Sequence, residues 1–241
     1  NWYGYGYNSQ QNGVILNDIV PLDEKRETEH HSASQLVLGL HTEDASYNYA
    51  GIFTNALTDV DMSPDVLTLQ YLRNEDKTPT TVSVLDVTKL SSSARDELTK
   101  DQYFNRTNPA QGGRENDSDQ AASLLYGTDG TWVRLNSALT HPHQYSGKAR
   151  DAFSELLQHL EAGYSELPLI RGDIAFIDNR RALHGRAAYK PHQLPKYDGT
   201  DRWQKRLVAG TDRDRIKSFE ASNRVVDPKK LLAALAIARS Q

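Results

Sequence analysis

Cysteine is absent from the 241-residue chain. That excludes disulfides, cysteine-ligated zinc and thiol nucleophiles, and leaves histidine and carboxylate side chains as the metal ligands on offer. No apolar run is long enough to span a membrane. Positive charge is not in excess: 28 basic residues stand against 32 acidic ones, for a net charge of -4. Nothing there favours nucleic acid as a partner. A signal-peptide pattern is also missing, and the cytoplasm is the default expectation. The chain opens at Asn1 instead of Met, so a missing N-terminal portion is expected. Hydrophobic residues make up only 37% and the mean hydropathy is -0.68, but the apolar residues are clustered. A folded chain with long polar loops follows, expected as one domain over residues 1–241.

What is there centres on residues 36–44, an apolar run that ends in His41, Glu43 and Asp44. Such a run reads as a strand, and residues two apart on a strand share a face. His41 and Glu43 would then project together. An imidazole beside a carboxylate is two-thirds of the two-His, one-carboxylate set that holds catalytic non-haem iron with open positions.

Further strands are expected over residues 14–20, 66–72, 80–87, 167–170, 174–177 and 203–209, with a hairpin across Gly127 and Gly130. The clearest helix covers residues 146–163. Ala149, Ala152, Phe153, Leu156, Leu157 and Leu160 recur there as one buried stripe, between Ser146 as cap and Gly163 as stop. A shorter helix is expected over 91–99, and a last one opens at Asp227-Pro228. The alternating aromatics of residues 1–7 suggest an extended segment, residues 44–64 a long irregular stretch, and residues 105–120 a polar loop. Many strands with few helices point to a mainly β fold, a sandwich or jelly roll with flanking helices.

Eight histidines compete for the third ligand position. His159 and Glu161 repeat the His-x-Glu spacing inside the strong helix, where residues two apart do not face each other. His141 and His143 lie in a loop without a nearby carboxylate, and His192 lies in a Pro-bounded loop. His184 follows an apolar strand and precedes Gly185, which makes it the best complement to His41 and Glu43. Near the end, Arg202, Gln204 and Arg206 fall on one face by the period of two. Guanidinium groups aimed into a barrel call for an anion, and a carboxylate fits them.

Three segments, His41-Thr42-Glu43-Asp44-Ala45, Ile177 through Arg186 and Tyr197 through Arg206, occur in the order found in one family. They resemble the clavaminate synthase-like Fe(II)/2-oxoglutarate-dependent oxygenases, in the amino-acid hydroxylase branch that holds arginine 3-hydroxylase and asparagine 3-hydroxylase. The resemblance implies a double-stranded β-helix, with Fe(II), 2-oxoglutarate and O2 as the reacting set. It implies His41, Glu43 and His184 as metal ligands, with no catalytic residue beyond them. Arg202 would bind the distal carboxylate of 2-oxoglutarate with Thr81, or Thr80 as alternate. Arg206 would hold the carboxylate of an amino-acid-like substrate, and Gln10 (or Gln11) its amino group, which the second oxygen of Glu43 could share. Residues 105–120 would form a lid. Hydroxylation of an unactivated C–H, with succinate and CO2 as co-products, is the implied reaction; desaturation and cyclisation start alike.

Arginine hydroxylases of the family carry acidic residues where this chain has Asn136 and Ala138, so an amide or ureido side chain is expected in place of a guanidinium. The alternative is a cupin-like hydrolase or isomerase that uses the same His/Glu/His set, and a third possibility is a binding module without chemistry. The oligomeric state is not legible.

Overall fold

In the computed structural model, the described residues are 5–6, 15–43, 45, 64–106, 121–127, 129–210, 220–222 and 225–226. The elements in chain order are β1 (Tyr5–Gly6), β2 (Asn17–Ile19), β3 (Leu38–His41), β4 (Val66–Arg73), β5 (Thr80–Val84), α1 (Ser92–Leu98), β6 (Tyr103–Asn105), β7 (Leu125–Tyr126), β8 (Trp132–Val133) and β9 (Thr140–Pro142). They continue with α2 (Gly147–Ala162), β10 (Ser165–Leu167), β11 (Ile174–Asp178), β12 (Ala182–Arg186), β13 (Trp203–Gly210), β14 (Glu220–Ser222) and β15 (Val225–Val226). Residues 1–4, 7–14, 46–63, 107–120 and 227–241 lie outside the described residues. So do the substrate-binding role expected of Gln10 or Gln11, most of the proposed lid and the last helix.

Two sheets face each other. The larger runs β11-β4-β13-β1-β15-β14, with β2 also on β13; the smaller runs β10-β5-β12-β3. Alternation builds the space between them. On β4, Leu67, Leu69 and Tyr71 are buried while their neighbours are half-buried, and Ile177, Ala182 and Val208 join them in one apolar cluster. Leu183, next to Ala182 on β12, faces the other way and packs with Leu156 and Leu160 of α2. Ser83 donates to the Leu160 carbonyl at 2.8 Å, which seats α2 on the outside of the small sheet. This is the double-stranded β-helix with helices behind one sheet.

The long helix matches its sequence signals closely. Ser146 accepts the Ala149 N–H, and the stripe Ala149, Ala152, Leu156 and Leu160 is buried. Among the described residues, no helix is long and apolar enough to cross a membrane.

Two strands differ from expectation at points that matter. β3 ends at His41, and Glu43 sits in a turn. The chain leaves the sheet there because Thr42 donates to the Leu135 carbonyl at 2.8 Å and Glu43 donates its N–H to Asn179 Oδ1 at 2.7 Å. β13 starts at Trp203 as expected, but its register with β4 shifts between Trp203 and Gln204, so the period of two does not carry back to Arg202. Gln204 and Arg206 keep the inward face, opposite Tyr71 and Leu69.

Candidate active site

The three residues singled out around His41 converge. His184 of β12 lies directly across from His41 of β3, and their rings stand 4.2 Å apart between centroids. Glu43 reaches the same point from its turn, with Oε1 3.4 Å from His184 Nε2. One nitrogen or oxygen from each residue lies within 4.8 Å of the others. Among the described residues, this is the metal-capable cluster of such groups. His159 instead accepts the Asp86 N–H at 3.3 Å, and His141 stacks on Phe104.

The protonation states suit a divalent cation. His41 Nδ1 meets the Gly39 carbonyl at 2.8 Å, so it donates there and leaves Nε2 for the centre. Burial, reinforced by the adjacent His184, holds His41 down to about 4. Burial alone would push the Glu43 carboxyl up. The Arg206 guanidinium and His184 outweigh it and keep that carboxyl well below the usual carboxylate range. An ionised carboxylate beside a neutral imidazole is the form that a metal binds. These donors fit the two-His, one-carboxylate set for iron.

The second half of the site is cationic. Arg202, 9% exposed, donates through one terminal nitrogen to the Tyr71 hydroxyl at 3.2 Å and to Thr80 Oγ1 at 3.1 Å. Its Nε is buried with no partner among the described residues. A buried guanidinium held by neutral hydroxyls, with a donor left over, fits an incoming carboxylate. The first-choice threonine is corrected here. Thr81 lies opposite Gly185 and Thr80 opposite Arg186, so the two face opposite sides of β5, and it is Thr80 that meets Arg202. Arg206, expected to hold a substrate carboxylate, lies against the cluster itself. It donates to both carboxylate oxygens of Glu43, at 3.2 and 3.3 Å.

A family model described as the taurine catabolism dioxygenase TauD, TfdA family matches residues 90–207. The chain is 28% identical to an L-ornithine/L-arginine 3-hydroxylase of Catenulispora acidiphila, over 84% of this chain and 62% of that one. It is 28% identical to an L-asparagine oxygenase of Streptomyces coelicolor, over 89% and 60%. Among solved structures, the non-heme iron oxygenase OrfP, as a single-residue mutant bound to (3S)-hydroxy-L-Arg, superposes with a TM-score of 0.75 at 31% identity. That match covers 93% of this chain and 67% of OrfP. The chain belongs to the TauD/TfdA dioxygenase family. It spans about three-fifths of the length of the curated relatives that it matches.

Sequence reasoning missed two residues in this TauD/TfdA site. Tyr71 is one; its position in the alternation Leu67, Leu69, Tyr71 was the available signal. Asn179 is the other. Its Oδ1 takes the Glu43 N–H, and its Nδ2 donates to the carbonyls of Pro64 at 2.9 Å and Glu43 at 3.3 Å. One buried amide thus fixes the turn that aims Glu43. Arg186 secures the other side: it donates to the carbonyls of Ser34 at 2.5 Å and Leu36 at 3.0 Å, just ahead of β3.

Asn136 sits beside the cluster, in an isolated antiparallel bridge with His41. Its side-chain oxygen is already used. It accepts the N–H of Ala138 at 3.1 Å and of Leu139 at 3.3 Å.

Proposed function

We propose that this protein is an Fe(II)/2-oxoglutarate-dependent oxygenase of one domain that hydroxylates an unactivated C–H of a free amino acid or derivative, releasing succinate and CO2. The observation that carries the reading is the pairing, inside one barrel, of the His41/Glu43/His184 cluster with a buried Arg202 that keeps an open donor. The named relatives and OrfP, an iron oxygenase, support it.

Iron(II) with 2-oxoglutarate and O2 supplies the oxidising chemistry when bound. The chain does the rest. His41, Glu43 and His184 would hold the metal, a donor set suited to iron that also takes a co-substrate. Arg202, braced by Tyr71 and Thr80, would fix the distal carboxylate of 2-oxoglutarate, and so its orientation. Arg206 keeps Glu43 ionised and would take the substrate carboxylate from the same inward face. Leu69 lies opposite Arg206 and forms a buried apolar cluster with Leu67 and Val208, which would limit water on that side.

Asn136 supports a finer reading of the substrate. Two backbone N–H groups hold its oxygen, so its amide nitrogen is the group left to face a ligand. A donor suits a side-chain carbonyl, as in an amide or a ureido group. It gives a guanidinium or ammonium nothing to bind. Succinate release measured across free amino acids tests this. Asparagine, glutamine and citrulline should exceed arginine, ornithine and lysine by about tenfold or more in kcat/KM. Arginine turning over best would overturn the finer reading, and no succinate with any amino acid would overturn the substrate class.

A further inference from the structure

Gln204 is a buried polar residue that the proposed reaction has not yet used. It is 3% exposed and lies on the inward face of β13, between Arg202 and Arg206. Its neighbours across the sheet are Tyr71 on one side and Ile19 on the other. Its Nε2 is buried with no hydrogen-bond partner among the described residues. Arg202 Nε is in the same position. Folded proteins seldom leave a buried donor unpaired, because its lost hydration is not recovered. Here two such donors flank one residue, Tyr71, whose hydroxyl already braces Arg202. A leucine at position 204 would suit the surrounding apolar cluster better, so the amide is costly unless something accepts from it.

We infer that Gln204 is a second anchor for the distal carboxylate of the dicarboxylate co-substrate, its amide donating beside Arg202. The carboxylate would then take Arg202 Nε and Gln204 Nε2 together, and both unpaired donors would be satisfied in one step. The consequence is selectivity. A 2-oxo acid with a distal carboxylate gains both contacts, and one without it gains neither. This rests on the reading of Arg202 as the co-substrate anchor.

The test uses the full chain loaded with Mn(II), with calorimetric titration of 2-oxoglutarate and of 2-oxobutyrate, which lacks the distal carboxylate. Melting of the ligand-free chain is measured alongside. For Gln204→Leu, the dissociation constant for 2-oxoglutarate should rise about tenfold, the value expected for a lost hydrogen bond to a charged group. Affinity for 2-oxobutyrate should not change, and the ligand-free chain should melt no lower than the parent. Unchanged 2-oxoglutarate affinity, or an equal loss for both acids, would overturn the inference. So would a lower melting temperature without a change in selectivity, the mark of a packing role. Arg202→Gln serves as the separate control. If it retains full 2-oxoglutarate affinity, the anchor reading falls and the Gln204 inference falls with it; if it loses affinity while Gln204→Leu does not, the inference alone falls.

Discussion

Glu43→Gln should abolish metal binding and lower the stability of the metal-free chain by about 3–5 kcal/mol, the usual effect of removing one partner of a buried ion pair. The substitution keeps the shape of the side chain and removes only its charge. Glu43 is 5% exposed, and Arg206 reaches both of its oxygens. A neutral amide leaves that guanidinium facing a site from which its counter-charge has gone. It also replaces the single anionic donor of the cluster, since the other two are imidazoles. Metal titration followed by calorimetry, with thermal melting of the chelated protein, reads both effects. Retained metal affinity would show that Glu43 serves Arg206 alone. A loss of affinity with unchanged melting would show that the ion pair contributes no stability.

Gly185→Ala should separate the two strands that carry the histidines. A methyl group at position 185 would come within 2.5 Å of the Leu38 carbonyl, 3.1 Å of the Gly39 carbonyl and 3.0 Å of Thr81 Oγ1. Two of these three atoms belong to backbone, which cannot swing aside. The strain is of the order of 1–3 kcal/mol, as for other overpacked sites. Its location matters more than its size. Gly39 is also the residue whose carbonyl orients His41, and His184 is the neighbour of Gly185. Moving β3 away from β12 therefore tilts His41 and widens its distance from His184. Disturbing a ligand's supporting bond typically weakens metal affinity by about 10–100-fold. Metal affinity within twofold of the parent would show that β3 can shift without disturbing His41.

The meeting of His41, Glu43 and His184 was legible because these residues are marked by type and local spacing. His41 and Glu43 stand two apart, and His184 sits beside Gly185 at the end of an apolar run. The helix 147–162 was legible for a similar reason: its stripe and both caps are local. What escaped depends on register between strands. Thr80 and Thr81 are equivalent by composition, and only the pairing of β5 with β12 decides which one faces Arg202. The turn after His41 is set by Asn179, 136 residues away from Glu43 along the chain. The Arg206–Glu43 pair spans 163 residues, and the period of two gives the face of Arg206 but not its partner. Asn136 was legible as the residue standing where an acid was expected. The orientation of its amide was not, because that depends on a turn closed by Ala138 and Leu139.

The central claim is that one barrel holds iron at His41, Glu43 and His184 and a 2-oxo acid against Arg202. Anaerobic addition of Fe(II) and then 2-oxoglutarate to the purified chain tests it most directly, because the chelated pair gives a weak visible charge-transfer band that neither component gives alone. The account predicts that band, its loss in Glu43→Gln, and its marked weakening in Arg202→Gln at the same co-substrate concentration. Metal binding without any such band would contradict it.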